Sequence, residues 1–166
     1  MNIYFNNTNQ RTFGTFPLRG KELTATLTIA VDIGYRSIDT AQMYGNEADI
    51  GASLVDLRLP RNELCITTKV HPDNFGDDTF VPSVEKSLEK LRLDYVDVLL
   101  LHWPPIGGDI TPPLRLLEKA YEKGLARNIG VSNYTARMMH DATKIIDAPL
   151  VTNQVEFHPL LNQDKL

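Results

Sequence analysis

Five successive apolar runs of this chain end near side chains able to hold charge, exchange a proton or make a directed hydrogen bond. Ser37-Ile38-Asp39-Thr40-Ala41 carries a carboxylate and is followed closely by the phenol of Tyr44-Gly45-Asn46-Glu47. Ile66-Thr67-Thr68 ends in the ammonium of Lys69, and Val98-Leu99-Leu100-Leu101 ends in His102-Trp103-Pro104-Pro105. Gly130-Val131-Ser132-Asn133 supplies a hydroxyl and an amide, and Thr152-Asn153-Gln154-Val155-Glu156 sets a second amide inside an apolar stretch. Taken singly, most have an ordinary structural explanation. Asp39 after a strand can be a helix cap or turn former, and Ser132-Asn133 can cap a helix that begins near Thr135. Tyr44 can be a half-buried surface aromatic, Lys69 a solvated charge, and His102 a packed loop histidine. Gln154 is hardest to dismiss, because a buried amide needs hydrogen-bonding partners. Together those explanations require a coincidence at five strand ends, so they are rejected jointly.

The elements that must carry these groups form a steady alternation of short apolar runs and amphipathic stretches, the pattern of repeated βα units. Strands are expected at Phe13–Phe16, Ser37–Asp39, Cys65–Val70, Val96–His102, Asn128–Ser132 and Val151–Glu156. Helices are expected at Leu23–Ile33, Glu47–Leu57, Phe80–Leu91, Pro113–Lys123 and Thr135–Ile146. Val84, Leu88 and Leu91 fall at i, i+4 and i+7, one apolar helical stripe. Gly34 and Gly124 follow two of the helices as stop signals. No linker or second domain is visible, so residues 1–166 read as one domain. An open doubly wound sheet and a closed eight-stranded barrel both satisfy the alternation. The Gly-x-Gly-x-x-Gly turn of a dinucleotide-binding open sheet is absent after the first strand.

Bulk properties narrow the class of partner. The 166 residues are 42% hydrophobic and 23% charged with a net charge of −4, a balance that favours neither nucleic acid nor an anionic membrane. The longest apolar run, Val96 to Leu101, is interrupted by Asp97 and is far below the ~18 residues of a membrane span. The segment Met1-Asn2-Ile3-Tyr4-Phe5-Asn6-Asn7 has neither a basic nor an apolar signal region. A single cysteine, Cys65, lies in a strand-like run, where a buried structural thiol is expected; that usage suits a reducing cytoplasm.

Gly34-Tyr35-Arg36-Ser37-Ile38-Asp39-Thr40-Ala41 with Tyr44-Gly45-Asn46-Glu47 resembles the first signature of the aldo-keto reductases. Leu99-Leu100-Leu101-His102-Trp103-Pro104, Ile129-Gly130-Val131-Ser132-Asn133 and Asn153-Gln154-Val155-Glu156-Phe157-His158-Pro159 match further blocks in order. The short loop from Pro105 to Pro113 is closest to the prokaryotic 2,5-diketo-D-gluconate reductase-like branch. The resemblance implies a (β/α)8 TIM barrel of the α/β class, with about six βα units in this chain. It also implies hydride transfer from NAD(P)H to an aldehyde or ketone, a keto sugar included. The catalytic set it implies is Asp39, Tyr44, Lys69 and His102. Reduction leaves an alkoxide that must be protonated, so an acid is needed at the carbonyl oxygen. A phenol is a reluctant acid at neutral pH, and a neighbouring ammonium makes it a better one. Tyr44 would be the proton donor, Lys69 its cationic neighbour, Asp39 the group that holds Lys69, and His102 a hydrogen-bond donor to the carbonyl.

By the same resemblance Ser132, Asn133 and Gln154 would bind the nicotinamide carboxamide, and Asp39, Gly14 and Thr15 would lie by the rest of the cofactor's reactive half. Phe16 and Trp103 would wall the substrate pocket. NADP(H) is the cofactor the family favours, with NAD(H) also open; no metal is needed. Two departures stand out. Thr12-Phe13-Gly14-Thr15 lacks the first glycine of the family's Gly-x-Gly-Thr, and the segment before it is short for the usual hairpin on the barrel floor. The sequence also stops at Leu166, soon after the sixth strand, whereas such barrels run to about 250 residues. A longer protein is the expectation, with a truncated copy or a fragment completed by self-association as alternatives; a complete barrel would be a monomer. The rival functions are a nicotinamide-sensing regulatory subunit and an inactive remnant of a reductase.

Overall fold

The computed structural model describes residues 11–164. The N-terminal segment discussed above, Met1 to Gln10, lies outside the described residues. Six strands and five longer helices alternate: β1 (Thr12–Gly14), α1 (Gly20–Asp32), β2 (Ser37–Asp39), α2 (Glu47–Leu57), β3 (Cys65–Val70), α3 (Phe80–Leu91), β4 (Val96–Leu101), α4 (Thr111–Glu122), β5 (Ala126–Ser132), α5 (Ala136–Ile145) and β6 (Leu150–Gln154). All five strand pairings are parallel and the strands lie in sequence order. Each connection therefore moves one strand along the sheet, as in a barrel, with no reversal of the kind that makes an open sheet doubly wound.

The sheet is strongly curled. Four inter-strand steps separate β2 from β6, about 19 Å if the sheet were flat at ~4.8 Å per step. Yet Gln154 Nε2, at the end of β6, donates to Asp39 Oδ2, at the end of β2, across 3.0 Å. Only a barrel-like curvature brings those side chains together. The six strands thus make an incomplete (β/α) barrel wall, with β1 and β6 as its edges among the described strands.

Alternation along the strands makes two cores. Ile38, Ile66, Val70, Leu99, Leu101 and Val131 join helix residues such as Leu27, Ile50, Phe80, Leu88 and Leu117 in one buried cluster between sheet and helices. Val98 and Leu100 are equally buried but stand outside it, as residues of the opposite face do. Parallel strands covered on both faces explain why β3 and β4 are buried at every position.

Element boundaries agree with the sequence pattern at β2, α2, β3 and α3 and shift elsewhere. β1 ends at Gly14 rather than Phe16, because Phe16 precedes a proline and Thr15 N–H turns to the carbonyl of Asp39. α4 begins at Thr111, whose N–H is capped by Asp109 Oδ1, so both prolines fit its first turn. The stop signals act as expected: Gly34 and Gly124 adopt φ of 105° and 75°, conformations that glycine takes without strain. At the far end of the barrel, Asp97 does more than interrupt an apolar run. Its buried carboxylate accepts from Ile66 N–H at 2.8 Å and Arg61 at 2.6 Å, with Arg127 at 3.6 Å. Both guanidiniums lie against the Tyr95 ring, 4.5 and 4.0 Å from its centroid.

Candidate active site

Lys69 is the penultimate residue of β3 and is 1% exposed, the opposite of a solvated surface charge. Its ammonium pairs with Asp39 Oδ1 and donates to the Thr40 carbonyl at 2.9 Å. Its remaining hydrogen-bonding contact is the Tyr44 hydroxyl, 3.3 Å away. Asp39 closes β2, and its second oxygen takes the Gln154 amide. A buried ion pair whose charges are also hydrogen-bonded is costly to break from one side, so this arrangement is fixed. Tyr44 ends a short 3-10 turn, Gln42–Tyr44, which Gly45 leaves at a φ of 65°. The Tyr44 ring stands edge-on to His102, centroids 5.5 Å apart, and 5.2 Å from the ring of Phe16.

His102 follows β4 directly and is buried. Its backbone N–H donates to Val70 and its carbonyl accepts from Asn133 Nδ2, so it is clamped between β3 and β5. Burial chiefly, and then the electrostatic influence of Lys69 and of His71, push its titration midpoint down to about 4. At neutral pH the ring is therefore uncharged and carries one proton. Its Nδ1 is buried without a hydrogen-bond partner among the described residues. Trp103 stacks beside it at 6.4 Å, and Phe16 and Trp103 are 66% and 47% exposed, leaving the tetrad flanked by accessible apolar surface.

Ser132 and Asn133 do not cap the following helix. That role belongs to Thr135, whose hydroxyl accepts from Met138 N–H. Asn133 instead holds a left-handed φ of 63°, and its Nδ2 donates to the His102 carbonyl and to Ser132 Oγ. Ser132 Oγ donates to the Gln154 carbonyl at 2.8 Å. These bonds leave the side-chain oxygens of Asn133, just after β5, and Gln154, at the end of β6 and bonded to Asp39, without hydrogen-bond partners among the described residues. Such a pair fits the amide donor of a nicotinamide. Of the other residues assigned to the cofactor, Gly14 closes β1, and the Thr15 hydroxyl is already bonded to the Asp39 carbonyl and to Asn46.

Three residues around the site escaped assignment from sequence. Gln42, Asn46 and Glu47 sit beside Tyr44 in the chain, but their work is visible only in three dimensions. Asn46 is fully buried and ties Thr40 to Thr15 and Leu18, fixing the loop that bears Phe16. Glu47 accepts from Thr68, the neighbour of Lys69, at 2.7 Å. Gln42 binds α3 and the segment that follows β3, on the far side of the turn. A polar residue inside an otherwise tight, partly apolar turn is the one signal the sequence offers.

The model of the aldo/keto reductase family matches residues 10–166. Methylglyoxal reductase DkgB of Salmonella typhi is 42% identical over 156 residues, covering 92% of this chain and 58% of the relative. Glyoxal reductase of Bacillus subtilis is 43% identical, covering 89% and 53%. A solved structure provisionally named 2,5-diketo-D-gluconic acid reductase B superposes with a TM-score of 0.89 at 44% identity, over 93% of this chain and 55% of that one. The chain thus spans little more than half the length of the relatives it matches.

Proposed function

The chain belongs to the aldo/keto reductase family, and from that premise we propose that Asp39, Tyr44, Lys69 and His102 are the proton-handling centre of a carbonyl reductase. The observation that carries this reading is the Tyr44 hydroxyl held 3.3 Å from a buried ammonium and beside a neutral imidazole. A reduced nicotinamide, when bound, supplies the hydride to the carbonyl carbon. The π electrons then move to oxygen, and Tyr44 gives that oxygen its proton. Lys69 stabilises the negative charge left on the phenol oxygen, while Asp39 keeps the ammonium in place. His102, neutral and carrying its proton on Nε2, donates a hydrogen bond that orients the carbonyl and stabilises charge developing on it. Asn133 and Gln154 would hold the carboxamide through their free oxygens, with Ser132 fixing both; Gly14 and Thr15 would line the adjoining stretch of the cofactor. Phe16 and Trp103 would exclude water around the substrate.

The relatives' names point to small carbonyls, 2-oxoaldehydes and keto sugars, as the substrate class. NADP(H) is the proposed cofactor, to be compared with NAD(H). A cytoplasmic location fits the single buried cysteine, and no described helix is long and apolar enough to cross a membrane. The test is turnover of methylglyoxal and of a keto sugar with each cofactor, in wild type and Tyr44→Phe. Removing the general acid should lower kcat by about 10²- to 10⁴-fold and leave cofactor Kd within about twofold. Comparable losses in both quantities would reassign Tyr44 to binding. Cofactor binding with no wild-type turnover would point instead to a nicotinamide-sensing role.

A further inference from the structure

We infer that Gln42 is a positioning residue for the proton donor, its side-chain amide locking the Tyr44 turn against the segment that follows β3 and against α3. This rests on the role proposed for Tyr44. The Gln42 oxygen accepts from His71 N–H at 2.8 Å and from Asn74 Nδ2 at 2.9 Å. Its nitrogen donates to the Ser83 carbonyl at 3.1 Å and meets the hydroxyls of Ser83 and Ser87 at 3.2 and 3.1 Å. Both lone pairs and both N–H groups of the amide are therefore used. His71 lies two residues beyond Lys69, so one side chain connects the turn that ends in Tyr44 to the strand end that carries its cationic partner.

The rest of the turn is held by packing of the Tyr44 ring against Phe16 and His102 and by few hydrogen bonds. Its backbone bonds, Tyr44 N–H to Ala41 and Gly45 N–H to Gln42, are internal to it. Met43 is exposed. Among the described residues, and apart from the Tyr44–Lys69 contact itself, Gln42 makes all the side-chain hydrogen bonds from this turn to the segment after β3 and to α3. That contact, at 3.3 Å, is already long for a charge-assisted hydrogen bond, so a small outward drift of the turn removes it. Displacing a reacting group by about 1 Å can cost ~10²-fold in rate.

The test compares wild type with Q42M, near in size but without hydrogen bonds, and with Q42E, which keeps the acceptor for His71 N–H and Asn74. For Q42M, kcat is expected to fall about 10- to 100-fold with KM and cofactor Kd within about twofold, and Q42E, which restores the bonds to His71 and Asn74 but sets an oxygen against the Ser83 carbonyl, to recover part of that loss. A kcat within twofold of wild type, or a loss that Q42E does not recover, overturns the inference. A second readout needs no turnover: the Tyr44 ¹³Cζ resonance of tyrosine-labelled, ligand-free protein, assigned by its absence in Y44F. In Q42M it should move toward the position of an exposed tyrosine; an unmoved resonance overturns the inference. If wild type reduces no carbonyl, the reductase reading fails on its own, and this resonance still decides whether Gln42 holds the phenol. Should Q42M not fold, the S83A/S87A pair removes the two hydroxyls that meet the amide on α3, leaving its bond to the Ser83 carbonyl and the turn itself untouched. The same resonance shift and a kcat loss of about two- to tenfold are then expected.

Discussion

His102 ordinarily titrates near 6.5 and here near 4, because burial, and then Lys69 and His71 nearby, oppose a positive charge on its ring. Between those values the unfolded chain binds a proton that the folded chain does not, so stability rises with pH across the window and is lost as pH falls from about 6.5 to about 4. His102→Asn removes that share of the slope. Urea midpoints at pH 7 and pH 4.5 should differ more for wild type than for the variant, and equal differences would mean that His102 does not govern this window. Cys65 shows the same physics at a thiol. Burial first, and Asp97 second, push its midpoint up to about 12, so almost no thiolate exists at pH 8. A disulfide reagent at that pH should react only as fast as the chain unfolds; prompt reaction without urea would place the thiol at the surface. The buried apolar setting of Cys65 was readable from the strand pattern around it. The Asp97 carboxylate was not, since nothing local indicates that a charge inside an apolar run will find Arg61 and Arg127.

At the scale of elements, α2, β3 and α3 were legible to the residue because apolar periodicity, flanking turns and helix termini agree there. β1 and β6 were not, because Phe16 is drawn off by Pro17, and Val155 has an apolar side chain but no strand bond to hold it. The polar ends of the strands were legible as a set. The grouping of Asp39, Tyr44, Lys69 and His102 was legible only through family resemblance, and the meeting of Asp39 with Gln154, 115 residues away and joined by curvature alone, was not legible at all. Gly51 in α2 was silent in sequence. A Cβ there would sit 2.2 Å from the Lys90 carbonyl oxygen and 2.8 Å from Leu91 C, both backbone atoms of α3. Gly51→Ala gains about 1 kcal/mol of helix propensity but forces two helices apart, an overpacking cost of about 1–3 kcal/mol, and at a backbone contact the upper end applies. Chemical denaturation should show net destabilisation. An unchanged or raised midpoint would show that α2 slides over α3 freely.

Among the described strands, burial falls from the centre of the sheet toward both edges. All six residues of β3 and of β4 are buried, whereas all five of β6 are only partly so. β6 is also bonded to one described neighbour, through a register that shifts between Ile129 and Val131. Protection from hydrogen exchange follows the free energy of local opening, which depends on buried apolar contact and shielded hydrogen bonds. In a chain of these 166 residues, amides of β3 and β4 should therefore exchange slowest, and those of β6 faster by at least about tenfold. Opening of β6 has a chemical consequence, because it withdraws Gln154 from Asp39 and the Gln154 carbonyl from Ser132 and Asn133. The carboxamide site proposed above is thus built partly on a half-buried edge strand, while Asp39 and Lys69 stand on the fully buried strands β2 and β3. A nicotinamide cofactor that binds through Asn133 and Gln154 must then tighten β6, and adding it should slow exchange at β6 and the end of β5 while leaving β3 unchanged. Slowing spread evenly over all six strands would locate the cofactor's hold elsewhere. Uniformly slow exchange before its addition would mean that β6 is as firmly held as the strands at the centre.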